Sequence, residues 1–293
     1  MSKKKIAAVV ITYNRLDFLK EIVDSLRKQS LKMDLIIVVN NSSTDGTKEW
    51  LQQQSDLKVI EQENVGSSGG QYTGIKAAYE DGFDWIWTMD DDVIPEPNCL
   101  EKLMEKEGEK LVRVPLRYNP DGKPFYNDVV KYNLKNPFKK FWQEIITERH
   151  LKEKFIKLEG ITFEGPLFHR TLIEKIGLPE FNFFIFGDDT EYFMRLKETD
   201  YKIVLFSEAH LNRKLKPPTF KDISPWKKFY TTRNLIAIMV KHGSFAVRLL
   251  SPFKILIIEL IHINSLEDLK FILKGFFKGY FYKSVNPSFQ IKN

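Results

Sequence analysis

The stretch Trp85-Ile-Trp-Thr-Met-Asp-Asp-Asp-Val-Ile-Pro-Glu-Pro97 decides how the rest of this sequence is read. Its first half is a buried strand, because two tryptophans, an isoleucine and a methionine leave no room for a solvated face. It then meets three consecutive carboxylates, Asp90, Asp91 and Asp92. Adjacent like charges repel, and a carboxylate is buried unpaired only at high cost. A divalent cation removes that penalty, and oxygen-only ligands suit Mn²⁺ or Mg²⁺. If the strand continues, Asp90 and Asp92 point to one face and Asp91 to the other. The alternative is a solvated acidic turn ahead of a helix introduced by Pro95 and Pro97.

Upstream, Ile6 to Thr12 reads as a first strand, and Leu19, Ile22, Val23 and Leu26 follow at helical spacing. Leu35 to Val39 is a second apolar run, closed by the polar loop Asn40-Asn-Ser-Ser-Thr-Asp-Gly-Thr47. Lys58 to Glu61 is a third strand, followed by Asn64-Val-Gly-Ser-Ser-Gly-Gly70 and a helix through Ile75, Ala78 and Tyr79. This alternation predicts an α/β fold: a Rossmann-like, mostly parallel sheet flanked by helices, with ligands at the carboxyl ends of its strands. Gly66, Gly69 and Gly70 match neither a dinucleotide fingerprint nor a phosphate loop. Their amides suit an anion or a sugar; equally, the glycines allow close helix–strand packing.

Downstream, Leu111 to Phe163 loosens, and Lys131 to Lys154 reads as a partly helical insertion near the site. Gly160 to Arg170 reads as strand then loop, and Leu172 to Ile176 as a short helix ended by Gly177. In Phe183-Phe-Ile-Phe-Gly-Asp-Asp-Thr-Glu-Tyr-Phe-Met-Arg195 an apolar wall meets Asp188 and Asp189. One of them can cap the helix that follows; a second carboxylate against that wall suits a general base. After a strand from Lys202 to Phe206 comes His210, a candidate third metal ligand if that strand ends at the rim of the Asp triplet.

The 293 residues, 29% charged and 43% hydrophobic, describe a folded protein with a substantial core. Met-Ser-Lys-Lys-Lys5 reads as a basic cap on a buried strand, not as a secretory leader. The lone Cys99 forms no intrachain disulfide, which fits a cytoplasmic setting. From Arg213 onward there are 15 Lys and Arg against 4 Asp and Glu, so a basic tail follows an acidic body. In that tail Leu269, Ile272, Leu273, Phe276, Phe277 and Tyr280 follow helical spacing, with Lys270, Lys274 and Lys278 on another face. Residues 1–243 are therefore read as one catalytic domain and 244–293 as a C-terminal helical extension that docks on an anionic membrane surface. The alternative is a helix packed on the domain or on a second subunit, and a homo-oligomer is compatible with either. No nucleic-acid-reading motif accompanies the charge.

Taken in order, Ile11-Thr-Tyr-Asn-Arg15, Val38 to Thr47, Asn64 to Gly70, Met89-Asp-Asp-Asp92 and Gly187-Asp-Asp189 resemble the inverting family-2 glycosyltransferases of the GT-A fold. The resemblance covers residues 5–240 and is closest to the galactofuranosyltransferase and rhamnosyltransferase branch. It implies that Thr12 and Arg15 hold the nucleotide, with Arg15 on the diphosphate. It also puts Asn40 where many members read uracil with an aspartate, leaving UDP- and dTDP-linked donors both open. Asn64, Gly69 and Gly70 fall in the donor-binding glycine motif. Asp90, Asp91 and Asp92 fall in the metal-and-ribose motif, and His210 matches a late histidine that completes the metal shell. Asp189 matches the catalytic base with Asp188 beside it, Gly187 standing where an aromatic residue is common. Arg233-Asn234 resembles a pair found late in the family. The implied activity is metal-dependent transfer of galactofuranose or rhamnose to a lipid-linked cell-surface glycan at the inner face of the membrane. The rival readings are a sugar-nucleotide pyrophosphorylase, whose phosphate loop is missing after strand one, and a non-catalytic scaffold.

Overall fold

The computed structural model describes residues 4–216 and 223–284. Among the described residues eleven strands run in chain order as β1 (Ile6–Thr12), β2 (Leu35–Asn40), β3 (Leu57–Glu61), β4 (Trp85–Asp90), β5 (Val93–Pro95), β6 (Leu111–Tyr118), β7 (Val129–Tyr132), β8 (Trp142–Ile145), β9 (Phe155–Leu158), β10 (Leu167–His169) and β11 (Lys202–Arg213). The helices are α1 (Leu16–Arg27), α2 (Thr47–Leu51), α3 (Gly66–Glu80), α4 (Cys99–Met104), α5 (Thr171–Ile176), α6 (Asp188–Met194), α7 (Pro225–His242), α8 (Phe245–Ile261) and α9 (Leu266–Tyr280). The main sheet is ordered β3-β2-β1-β4-β10-β6-β11-β5, with β9 also on β11.

β3, β2, β1 and β4 are mutually parallel, β10 runs against them, and β6 and β11 are again a parallel pair. Every residue of β1 is buried. Ala7, Val9 and Ile11 pack with α3 residues Ile75 and Ala78, whereas Ile6, Ala8 and Val10 pack with Leu19, Ile22 and Leu26 of α1. Burial on both faces is why these strands read as continuous apolar runs and not as alternating ones.

Several sequence expectations are corrected. The Lys131–Lys154 segment, expected as partly helical, is mainly a hairpin of β7 and β8, and its helical part is a five-residue 3₁₀ helix at Glu148–Lys152. The span from Gly160 to Arg170 is loop first and strand second, since β10 begins only at Leu167. The strand beginning at Lys202 does not stop at Phe206: it bulges before His210 and runs on to Arg213.

In the expected extension, 285–293 lie outside the described residues. α9 packs along α7, burying Ile272 and Phe276, so two of its six apolar residues belong to the fold, as the packing alternative holds. A Cβ on Gly275 would lie 2.8 Å from the Phe229 carbonyl oxygen, and one on Gly279 would lie 2.5 Å from that of Arg233. Two glycines four apart thus let the helix backbones touch. The contact is fastened by an ion pair, Lys228 Nζ to Asp268 Oδ2 at 2.7 Å, with side chains 7% and 4% exposed.

Asp268→Ala strands the Lys228 ammonium in that dry contact and is expected to lower folding stability by about 3 kcal/mol. Urea unfolding measures it; a loss below about 0.5 kcal/mol would mean that the pair is screened like a surface one.

Candidate active site

The Asp triplet stands at the carboxyl end of β4, beside β1. The strand ends at Asp90, so the alternation expected through the triplet does not continue. Instead Arg15 Nη1 donates to Asp91 at 3.0 Å and to Asp92 at 2.9 Å, drawing those two together. Thr12 Oγ1 donates to the other Asp91 oxygen at 2.8 Å, and Gln71 Nε2 reaches Asp90 at 3.4 Å. Thr12 and Arg15, from the end of β1 and the start of α1, thus tie the first loop to the triplet. Burial pushes Asp91 up to about 6, with the Arg15 charge pulling the other way. Asp90 is held well above the usual carboxylate range by burial and then by the charges of Asp92, Glu164, Asp91 and Asp188.

Glu164 was not singled out from the sequence, yet its charge acts on Asp90, Asp92 and Asp189 alike. It is gripped by two guanidiniums: Arg117 Nη1 donates to it at 3.1 Å, and Arg213 Nη2 at 3.1 Å. Arg117 is fully buried and also binds Asp128 and Thr162. The sequence did carry a signal. Leu111-Val-Arg-Val-Pro-Leu-Arg-Tyr118 places two arginines inside an apolar strand, and a buried guanidinium needs partners: Arg117 finds Asp128 and Glu164, whereas Arg113 is met by the Lys106 and Gly108 carbonyls.

His210 does not join this cluster. In the continued β11, Leu211 and Arg213 share one face and His210 and Asn212 the other. Arg213 therefore meets Glu164, while His210 contacts Glu96 at 3.2 Å, the Ser207 carbonyl at 3.1 Å and the edge of Tyr118. The expectation that His210 closes a metal shell with Asp90 and Asp92 is not met by this arrangement.

Asp188 and Asp189 open α6 behind Gly187, which occupies the N-cap position in the left-handed region. Asp188 is buried, and burial followed by the Asp189 charge pushes it up to about 7. Burial pushes Asp189 up to about 6 against hydrogen bonds from Thr190. Asp188 acts on Asp90, and Asp189 feels Glu164 and Arg117, so the start of α6 lies within electrostatic reach of the triplet. Tyr132 of β7 forms a further wall: burial, then the Asp189 charge, raises its phenol.

The loop ahead of these aspartates is held from α7. Asn234 Nδ2 donates to the carbonyls of Phe183 at 2.9 Å, Ile185 at 2.9 Å and Phe186 at 2.7 Å. Arg233 donates to the carbonyls of Asn182 and Phe183 and to the Asn234 side chain. Phe184 and Phe186 both sit at positive φ, 63° and 66°. Such strain costs about 1–3 kcal/mol per residue and persists only where the surroundings over-determine it. Here the Arg233-Asn234 pair and the stacking of Phe184 on Tyr230, 4.9 Å between centroids, do so.

The remaining candidates lie nearby with structural partners. Asn40 donates to Glu61 at 3.0 and 3.2 Å and accepts from the Ser43 N–H at 3.1 Å. Asn64 accepts from the Gly66 N–H at 3.0 Å, forming the turn into α3. Gly69 and Gly70 are buried inside that helix; a Cβ on Gly70 would come 2.5 Å from Ile11 Cγ2. Close helix–strand packing accounts for Gly70, whereas a Cβ on Gly69 would meet the Val65 side chain at the start of the same helix at 2.4 Å. Gly66, at φ +78°, touches Phe184 so closely that a Cβ would lie 2.0 Å from its carbonyl oxygen.

The six carboxylates Asp90, Asp91, Asp92, Glu164, Asp188 and Asp189 outnumber Arg15, Arg117 and Arg213 around them, and Arg117 is shared with Asp128. Asp91 and Asp92 face Arg15, and among the described residues no three acidic, imidazole or thiol groups stand in a ligating arrangement. The donor set still fits a divalent cation: it is all oxygen, crowded and under-neutralised.

Residues 7–177 match the family model described as "Glycosyl transferase family 2". Galactofuranosyltransferase GlfT1 of Mycolicibacterium smegmatis is 28% identical over 201 residues, covering 65% of this chain and 65% of that protein. GlfT1 of Mycobacterium tuberculosis is 27% identical over 260 residues, covering 82% and 84%. The match to the first spans just under two thirds of that relative. GalNAc-T7, solved with UDP, GalNAc and Mn²⁺, superposes with a TM-score of 0.66 at 12% identity over 94% of this chain and 55% of that one. S. aureus TarS 1–349, solved with UDP, superposes with a TM-score of 0.53 at 16% identity, covering 87% and 70%. Such likeness shows the fold, which is GT-A-like, and leaves substrate to the site. With more than half of its length inside the family model, the chain belongs to glycosyl transferase family 2.

Proposed function

We propose that this protein is a divalent-metal-dependent, inverting hexosyltransferase that passes galactofuranose or rhamnose from a UDP- or dTDP-linked donor to a hydroxyl of a lipid-linked glycan. One observation carries the proposal: the start of α6 holds a half-buried carboxylate raised toward neutrality, Asp189, next to Asp188, whose charge reaches Asp90 of the crowded triplet. The relatives named galactofuranosyltransferases support the first donor.

In this reading Asp189 accepts the proton of the acceptor hydroxyl as its oxygen attacks the anomeric carbon, and the nucleoside diphosphate leaves from the opposite side. A single displacement inverts the configuration, through a transition state resembling an oxocarbenium ion. Asp90 and Asp92 would hold the cation, which when bound supplies charge stabilisation to the departing diphosphate. Arg15, half-exposed beside Asp91 and Asp92, is available to the diphosphate as well. Glu164 is held by Arg117 and Arg213, and its negative charge keeps Asp189 basic. Asn234 fixes the loop that aims Asp189.

Incubation with Mn²⁺, either donor and a lipid-linked acceptor is expected to release UDP or dTDP, and chelation to stop it; turnover undiminished by chelator would refute metal dependence. Asp189→Asn is expected to lower kcat by about 10²–10⁴-fold with donor affinity retained. Because Asp189 must be deprotonated and is raised to about 6, the wild-type rate should climb with pH up to about 6 and then level. A flat profile between pH 5 and 8, or near-normal transfer by the variant, removes Asp189 as base. Asn234→Ala should lower kcat by about 10²-fold through misplacement of the base, with donor KM little changed. Equal losses in kcat and kcat/KM with an unchanged pH profile would confirm positioning; a lost fold by circular dichroism would make Asn234 structural only.

A further inference from the structure

α8 carries an apolar surface that the fold does not use. It turns Val247, Ser251, Pro252 and Ile255 inward. On its outer side Phe245, Leu249, Phe253, Ile257 and Ile261 recur every fourth residue and are 82%, 46%, 49%, 58% and 72% exposed. That spacing aligns them along one helical face. Phe253 meets Phe276 of α9 at 5.4 Å between ring centroids, and α9 adds exposed Phe277 and Phe281. On the other flank Lys254 Nζ donates to the carbonyls of Pro137 and Lys139 at 3.0 Å each, holding the 82%-exposed Phe138 nearby. Lys270, Lys274 and Lys278 are exposed along α9, where Lys274 Nζ also lies 5.5 Å from the centre of the Phe229 ring of α7. Contiguous exposure of this kind marks an interaction site, whereas isolated surface apolar residues do not.

We propose that the outer face of α8 lies in the headgroup region of an anionic bilayer, with the α9 lysines reaching phosphate. α8 has 17 residues, about 26 Å of helix against about 30 Å of hydrocarbon, so it is short for a span. No helix among the described residues is long and apolar enough to cross a membrane. A helix with an apolar stripe and neighbouring lysines lies in the interface plane. A second copy fits less well, because a self-complementary pairing along the stripe would bring lysine rows together, and lysine is depleted from interface cores. The sequence placed this contact on α9; the structure moves its apolar part to α8, because α9 spends Ile272 and Phe276 on α7. The inference does not rest on the glycosyl-transfer reading.

The test is flotation of the full chain with phosphatidylcholine vesicles, with and without phosphatidylglycerol, at low and high salt. The wild type is expected to float with the anionic vesicles, less so in high salt. Phe253→Glu combined with Ile257→Glu should reduce binding by roughly tenfold or more, and Lys270→Gln, Lys274→Gln and Lys278→Gln together should remove its salt-sensitive part. All of these residues are exposed, so thermal unfolding and transfer to a water-soluble acceptor should match wild type. If no protein transfers sugar yet flotation behaves as described, the site reading fails and this one stands. The proposal is overturned if wild type ignores anionic vesicles, if the glutamate pair binds as wild type does, or if wild type is a dimer that the glutamate pair splits.

Discussion

Repulsion among crowded, largely half-buried carboxylates is the constraint that the rest of this structure answers. The end of β4, the Glu164 loop and the start of α6 bring their acidic groups within electrostatic reach of one another, partly withdrawn from water, where like charges act more strongly than in solution. Arg15 bridges two of them, and Arg117 and Arg213 grip a third. What remains unneutralised is useful in the proposed reaction: it attracts a cation to the triplet and keeps Asp189 a better base than a solvated aspartate. Removing the crowding would lower stability-limiting repulsion and lose both properties at once.

The second dependence is mechanical. Phe184 and Phe186 hold a backbone conformation that non-glycine residues avoid, and it is kept by the clamp from α7 together with the Ser68 N–H of α3, which donates to the Phe184 carbonyl at 3.2 Å. α7 is therefore part of the site although no residue of it carries the chemistry. α9 in turn is locked to α7 through the Gly275 and Gly279 contacts and the Lys228–Asp268 pair.

Comparison of individual residues shows which features were legible in the chain. β1, β2 and β4 announced themselves as apolar runs, because strands covered on both faces have no polar alternation to read. The pair Asp188-Asp189 and the triplet were legible because carboxylates beside apolar walls are rare without a task. Glu164 was not, since a single glutamate before Gly-Pro resembles any loop residue. His210 was misplaced because the bulge between Phe206 and His210, and the one-residue alternation after it, leave no trace in composition.

The sequence by itself determined the sheet's parallel core, the acidic rim and the family, since burial patterns and ordered motifs are properties of local runs. Tertiary structure alone decided which face of β11 meets that rim and which arginines pair with Glu164. It also decided which apolar residues of α9 are spent on α7. Those outcomes depend on strand register and helix contact between residues far apart in the chain, where a shift of one position reverses the side to which a group points.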